Sequence, residues 1–186
     1  MEIETASLDL SYSFDNSLRD RPNKPHDVRK AIAILQKQAK TNAPDLRDRI
    51  KCLGLIGVYT RQLGELETAQ NTLESAVSLA QSLNDSRLEV ANTIRLAIVY
   101  QWQHRYEESE TLLFNVIKRC EKDQDVKVYL DFAYQHLGKC KFDQQDYAIA
   151  RQYLQAALAI RQQKQDDSLI QSTQIAIAIV ESKLSQ

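Results

Sequence analysis

Apolar positions recur every three or four residues along most of the chain, which is the period of an amphipathic α-helix. One such stretch holds Ile50, Leu53 and Ile56, and the next holds Leu66 and Ala69. Short polar clusters separate the stretches and supply Asp and Ser side chains that can cap helices. The pattern predicts helices at about residues 27–40, 45–62, 65–82, 86–103, 106–122, 125–142, 146–163 and 168–184.

The helical stretches are organised as an internal repeat. The small residues Gly57, Ala97 and Gly138 lie at intervals of 40 and 41 residues. One leucine in the second helix of each unit keeps the same intervals, so each unit is predicted to be a helical hairpin. These leucines are Leu73, Leu113 and Leu154.

The residues of the third unit resemble the tetratricopeptide repeat (TPR) family. The period of about 40 residues is longer than the usual 34, and it is similar to that of kinesin light chains and bacterial peptide-sensing regulators. The resemblance implies an all-α, right-handed superhelical solenoid of antiparallel helix hairpins, with about eight helices and a concave face. The matching residues are Tyr134, Leu137, Gly138, Tyr147, Ala150, Leu154, Ala157 and Leu158.

The repeat also predicts how the chain is divided. An extended arm or linker precedes a TPR-like helical domain, whose ends are a leading half-repeat and a capping helix. The arm is expected at residues 1–26 and the domain at 27–186, with the half-repeat at 27–40, repeats at 45–83, 86–122 and 125–164, and the cap at 168–184.

The arm carries one local signal of its own. Residues 8–15 alternate apolar and polar side chains, which is the period of a half-buried strand. A lone strand leaves three alternatives: a disordered tail, an arm lying in the protein's own groove or along a helix, and an arm exchanged with a second copy. Residues 20–25 contain Pro22 and Pro25, so we expect an irregular linker there.

Composition excludes several classes of function. The chain has 24 Lys and Arg against 25 Asp and Glu. With this balance it has no net positive electrostatic field that would attract a nucleic acid or an acidic membrane. Three cysteines without paired spacing favour a reduced, cytoplasmic protein. The sequence has no apolar run long enough for a membrane span.

Motifs for catalysis or for a bound group are missing from the sequence. The three histidines stand apart from any nucleophile motif, and no metal-protease or nucleotide-binding pattern occurs. We therefore expect a protein that is not an enzyme and that has neither a cofactor nor a metal.

By resemblance, the concave face of each first helix is expected to bind a peptide. This stripe contains four Lys or Arg and no carboxylate, which favours an acidic peptide or a C-terminal carboxylate. The alternative is that these are ordinary solvated charges. The candidate groove residues are Lys51, Val58, Arg61, Gln62, Arg95, Ile98, Trp102, Phe132, Gln135, His136 and Lys139.

The last helix carries six consecutive apolar residues at 175–180. A helix that is apolar all round is usually covered on more than one side. Either neighbouring segments of this chain cover it, or it forms a homodimer. The candidate self-association residues are Ile175, Ile177, Ile179 and Val180.

Three hypotheses for function follow. The first is a protein–protein interaction module or adaptor that binds a peptide segment. The second is a regulatory sensor whose groove is occupied by its own or a dimer mate's N-terminal arm. The third, an RNA-binding helical repeat, is disfavoured by the neutral charge.

Overall fold

The computed structural model describes residues 7–41 and 45–185, and within these ranges it is built from antiparallel helical hairpins. The predicted all-α class with antiparallel helix hairpins is confirmed. Residues 1–6 of the predicted arm and residue 186 lie outside the described ranges. The helices are α1 (Pro25–Thr41), α2 (Leu46–Gln62), α3 (Leu66–Ser82), α4 (Ser86–Trp102), α5 (Tyr106–Lys122), α6 (Leu130–Asp143), α7 (Tyr147–Lys164) and α8 (Asp167–Leu184).

The helices begin and end close to their predicted bounds, with one exception. Helix α6 was expected from residue 125 but begins at Leu130, after a short 3-10 turn at Lys127–Tyr129. Val126 is fully buried just before that turn, and its carbonyl accepts a hydrogen bond from the Cys120 thiol at 3.1 Å. Burying Val126 requires an irregular backbone here, so the regular helix starts later.

The repeat is visible in the backbone of the turns within the hairpins. Gly64, His104 and Gln145 have φ values of +83°, +62° and +65°, and they lie 40 and 41 residues apart. In each turn the next residue donates its N–H to the carbonyl five residues back, as in a Schellman cap. Gly64 adopts this left-handed conformation without the steric strain that His104 and Gln145 carry.

The chain divides into two compact units, residues 1–99 and 100–186. In the N-terminal unit α1 packs on α2 and α2 on α3. Its core contains Val28, Leu35 and Ile56. Gly57 of α2 faces Leu73 of α3 so closely that a Cβ at Gly57 would lie 2.7 Å from Leu73 Cδ2.

The C-terminal unit repeats this arrangement. Helix α5 packs on α6, α6 on α7 and α7 on α8. Gly138 faces Leu154, and a Cβ there would lie 2.8 Å from Leu154 Cγ and 3.0 Å from the carbonyl oxygen of Ala150. Small residues at this position therefore let two helix backbones approach in both units.

The arm folds into a β-hairpin instead of a single extended segment. Strand β1 (Tyr12–Phe14) pairs antiparallel with β2 (Asp20–Pro22). The prediction of an irregular linker at residues 20–25 is wrong, because 20–22 form β2 and α1 begins at Pro25. Pro22 lies opposite Tyr12. The next residue pair along the strands, Ser11 with Asn23, is hydrogen-bonded, so the Tyr12–Pro22 pair makes no hydrogen bonds between the strands. The missing N–H of Pro22 therefore leaves no partner unsatisfied.

Leu18 anchors the turn of this hairpin. It is 2% exposed and has a left-handed φ of +57°. Asp15 closes the turn by accepting the backbone N–H groups of Ser17 and Arg19 at 2.9 and 3.0 Å. The hairpin contacts the chain's own helices, because the Asp9 N–H donates to Asp27 Oδ2 in α1 and Asp20 accepts from Arg61 in α2.

No helix in the described residues is both long and apolar enough to span a bilayer.

Candidate functional site

The N-terminal hairpin meets the predicted groove face at the end of α2. The Asp20 carboxylate accepts hydrogen bonds from Arg61 Nη1 at 2.6 Å and Nη2 at 2.8 Å, and from Gln62 Nε2 at 2.8 Å. The Arg61 side chain is 5% exposed and that of Asp20 16%. This is a bidentate, charge-assisted pair, the strongest kind of side-chain recognition of a carboxylate.

The other candidates in the N-terminal unit differ in exposure. Lys51 is exposed and pairs with Asp48 at 2.9 Å, while Val58 is half-buried. Half-buried Arg95 donates to Asn92 Oδ1 at 2.9 Å, and both side chains lie so close to Gly54 that a Cβ there would collide with them. The predicted basic stripe is thus partly neutralised by Asp20 and Asp48.

In the C-terminal unit the candidates lie mostly inside the fold. Gln135 is 3% exposed, and neither atom of its amide has a hydrogen-bond partner among the described residues. Only Phe132 and His136 are half-buried in this group. The groove candidates that are buried in the two units are Arg61, Gln62, Ile98, Trp102, Gln135 and Lys139.

The ring of Phe132 packs beside a buried cluster of charged side chains. Arg161 Nε donates to Asp131 Oδ2 at 2.9 Å and Arg161 Nη1 to Thr173 Oγ1 at 2.6 Å, and Lys164 also pairs with Asp131. The guanidinium carbon of Arg161 lies 5.3 Å from the centre of the Phe132 ring. Asp131 is fully buried, so this cluster ties α6, α7 and α8 together.

Comparison with known proteins agrees with this repeating geometry. Residues 88–163 match the sequence model of the tetratricopeptide repeat family. Over these residues the chain is similar to tetratricopeptide repeats. The resemblance predicted from the sequence is confirmed, and none of the curated proteins matches the chain.

Solved structures similar to this chain extend the TPR-like fold beyond the matched residues. BtubC (BKLC) from P. vanneervenii superimposes with a TM-score of 0.65 at 19% identity, over 86% of this chain and 67% of that one. A Podosopora anserina protein described as a kinesin light chain with nearly identical TPR-like repeats gives 0.59 at 18% identity, over 86% and 80%. At such identities the likeness shows the fold alone.

The repeat spacing could have predicted one of the two buried ion pairs, that of Arg161, but not that of Asp20. Ala80, Cys120 and Arg161 occupy one repeat position, 40 and 41 residues apart, and all three are buried. An arginine at a position that is otherwise small was a readable signal of a buried ion pair. Asp20 had no comparable signal, because the arm is outside the repeat.

The last TPR-like helix, α8, is only partly covered. Ile175 is 44% exposed and Ile177 and Ile179 are half-buried. Val180 is fully buried, so its expected place on a self-association surface is wrong.

The three thiols of the TPR-like fold are interior groups. Burial raises the pKa of Cys120 and of Cys140 to about 11, and burial also raises that of Cys52. A neutral, buried thiol is a poor nucleophile. No group of three or more potential metal ligands occurs in the described part of the chain.

Proposed function

We propose that the chain is a non-catalytic, cytoplasmic protein-interaction module that binds an acidic peptide segment through the predicted groove face of its first helices. One observation carries this proposal: Arg61 and Gln62, which the sequence predicts as groove residues, hold a carboxylate. The TPR match supports a protein partner, because stacked helical repeats expose extended binding surfaces.

The accessible candidates would make the first contacts with the partner. Lys51 is exposed, and Val58, Arg95, Phe132 and His136 are half-buried. The buried candidates, Trp102 among them, would shape the surface from beneath. Arg95 is the half-buried basic candidate, and its replacement should weaken binding of an acidic peptide.

Affinity purification from the native cell tests the proposal. The intact chain should retain a partner that an Arg95→Ala variant retains at least tenfold less, because central arginines often dominate interface energy. Arg151→Ala, which removes an exposed arginine from α7, is the matched control and should retain the partner normally. If the intact chain retains no protein above a bead control, the proposal is wrong.

A second candidate function is a regulatory sensor whose binding face is covered by the chain's own arm. The contact of Asp20 with Arg61 and Gln62 favours it over a free arm. In such a sensor the ligand and the hairpin compete for the same face of the helices. A saturating concentration of the ligand should then displace the hairpin and raise the rate of amide hydrogen exchange in residues 9–23. An unchanged exchange rate would reject this role.

Self-association through α8 is a separate proposal. The exposed side chain of Ile175 supports it. Light scattering coupled to chromatography should detect a dimer at micromolar concentration that Ile175→Lys abolishes. A monomeric intact chain would reject it.

A further inference from the structure

The end of α2 is built to receive a carboxylate from outside its own helix. Three N–H groups converge on Asp20, two from Arg61 and one from Gln62, at 2.6 to 2.8 Å. With the hairpin in place the Arg61 side chain is 5% exposed, so loss of the Asp20 carboxylate alone would leave a poorly solvated guanidinium without its acceptor. When the hairpin lifts, the same three N–H groups are available to another carboxylate.

The segment that supplies Asp20 is a small element of the fold. Its two strands have three residues each, and an isolated two-stranded sheet is marginal in water. Its ion pairs of Arg21 with Asp15 and of Lys24 with Asp9 are between partly exposed side chains. Leu18 is fully buried, Leu10 packs on the core between α1 and α2, and the Asp9 N–H donates to Asp27 Oδ2, so local opening of the hairpin breaks these contacts together with those of Asp20.

Asp20 also leaves the site incompletely satisfied. Gln62 Oε1 is buried and has no hydrogen-bond partner in the described residues, although Gln62 Nε2 donates to Asp20. A buried acceptor without a donor is unfavourable. A ligand that brings a carboxylate together with a neighbouring N–H would satisfy both atoms of the Gln62 amide.

We propose that Arg61 and Gln62 form a site for one side-chain carboxylate of an acidic peptide, with Asp20 as the resident ligand that this peptide replaces. The inference rests on the proposed function and adds the ligand chemistry and the competing residue. Since the resident carboxylate is tethered, its effective concentration is of the order of millimolar, and a free peptide must overcome it.

The test uses the full chain and a fluorescein-labelled synthetic peptide with the sequence of residues 9–23. Asp20→Asn weakens the resident contact, and the double variant Leu18→Ser/Asp20→Asn also removes the buried anchor. Peptide affinity should rise at least tenfold in the double variant relative to the intact chain, with Asp20→Asn between the two. Adding Arg61→Gln to the double variant should abolish the gain.

Two controls separate carboxylate recognition from general charge. Glu67→Gln removes one exposed carboxylate from α3 and should leave peptide affinity at the intact-chain value. A peptide with Asn in place of its Asp20 should bind the double variant at least tenfold more weakly than the acidic peptide.

Equal affinity of the acidic peptide for the intact chain and the double variant would overturn the inference, as would equal binding of the two peptides. No binding to a double variant whose helical circular dichroism is intact would overturn it as well. Such a failure leaves the Arg95-dependent retention of a partner untouched, so it is distinguishable from failure of the proposed function.

Discussion

Both units of the protein bury an arginine against an aspartate, but they position the aspartate differently. Asp131 comes from α6, is fully buried and is shared by Arg161 and Lys164. Asp20 comes from a short hairpin and keeps 16% of its side chain exposed. The first pair joins three packed helices, whereas the second joins a short hairpin to the end of one helix. The same chemistry therefore links helices in one unit and attaches the hairpin in the other.

Removal of Asp131 should give the largest effect. Asp131→Ala leaves Arg161 buried without its carboxylate, which typically costs about 3–5 kcal/mol. Urea unfolding followed by circular dichroism measures the loss. Asp48→Ala, which breaks an exposed pair with Lys51, should change stability by less than about 1 kcal/mol. Similar losses in both variants would contradict a special role for the buried cluster.

Gly138→Ala should follow in size. The new Cβ would lie 3.0 Å from the Ala150 carbonyl oxygen, which belongs to a helix backbone and cannot rotate away. We expect a loss of about 1–3 kcal/mol in urea unfolding. Gly57→Ala in the N-terminal unit brings its Cβ within 3.0 Å of three atoms of the buried Leu73 side chain and should cost at least as much. A loss well below about 1 kcal/mol in either variant would contradict the close approach of the helices at this repeat position.

Asp20→Asn should destabilise the chain by about 1–2 kcal/mol, less than Asp131→Ala, because the hairpin can lift and let water reach Arg61. Thermal unfolding of the two variants side by side makes the comparison. If Asp20→Asn costs as much as Asp131→Ala, the hairpin is as firmly built into the fold as the helices are.

Substitutions at the turn residues should change the free energy of unfolding least. The change lowers stability at Gly64 in the N-terminal unit and raises it at Gln145 in the C-terminal unit. Gly64→Ala places a Cβ in open space but at a φ of +83°, and should cost about 1 kcal/mol. Gln145→Gly relieves the same strain at the equivalent turn and should add about 0.5–1 kcal/mol. Shifts in the thermal midpoint measure both, and a loss of stability in Gln145→Gly would contradict this reasoning.

Much of the fold could be predicted because the repeat signals agree with one another. The spacing of Gly57 and Gly138 predicted the repeated hairpins, and the predicted helix bounds left the turns at Gly64 and His104. Helix α6 was the exception, since no periodic signal revealed that Val126 would be buried ahead of its first turn. In helical repeats each hairpin packs only against the adjacent hairpins, so the local pattern of apolar residues is enough to predict it.

The candidate site was less predictable. Helical spacing placed Arg61 and Gln62 on one face, but it could not show that Asp20, 41 residues earlier, would cover them. Burial of Trp102 and Gln135 likewise depends on contacts between segments distant in sequence. Recognition sites depend on such pairings, and these leave no period in the sequence.

Hydrogen exchange followed by mass spectrometry tests the central claim most directly, because it reports the hairpin and the helices in the same sample. In the intact chain, residues 9–23 should be protected, though at least tenfold less than α6 and α7. Asp20→Asn should lower the protection of residues 9–23 and leave α6 and α7 unchanged. Hairpin protection that is the same in Asp20→Asn as in the intact chain would contradict the claim that the Asp20 carboxylate helps to hold the hairpin on Arg61 and Gln62.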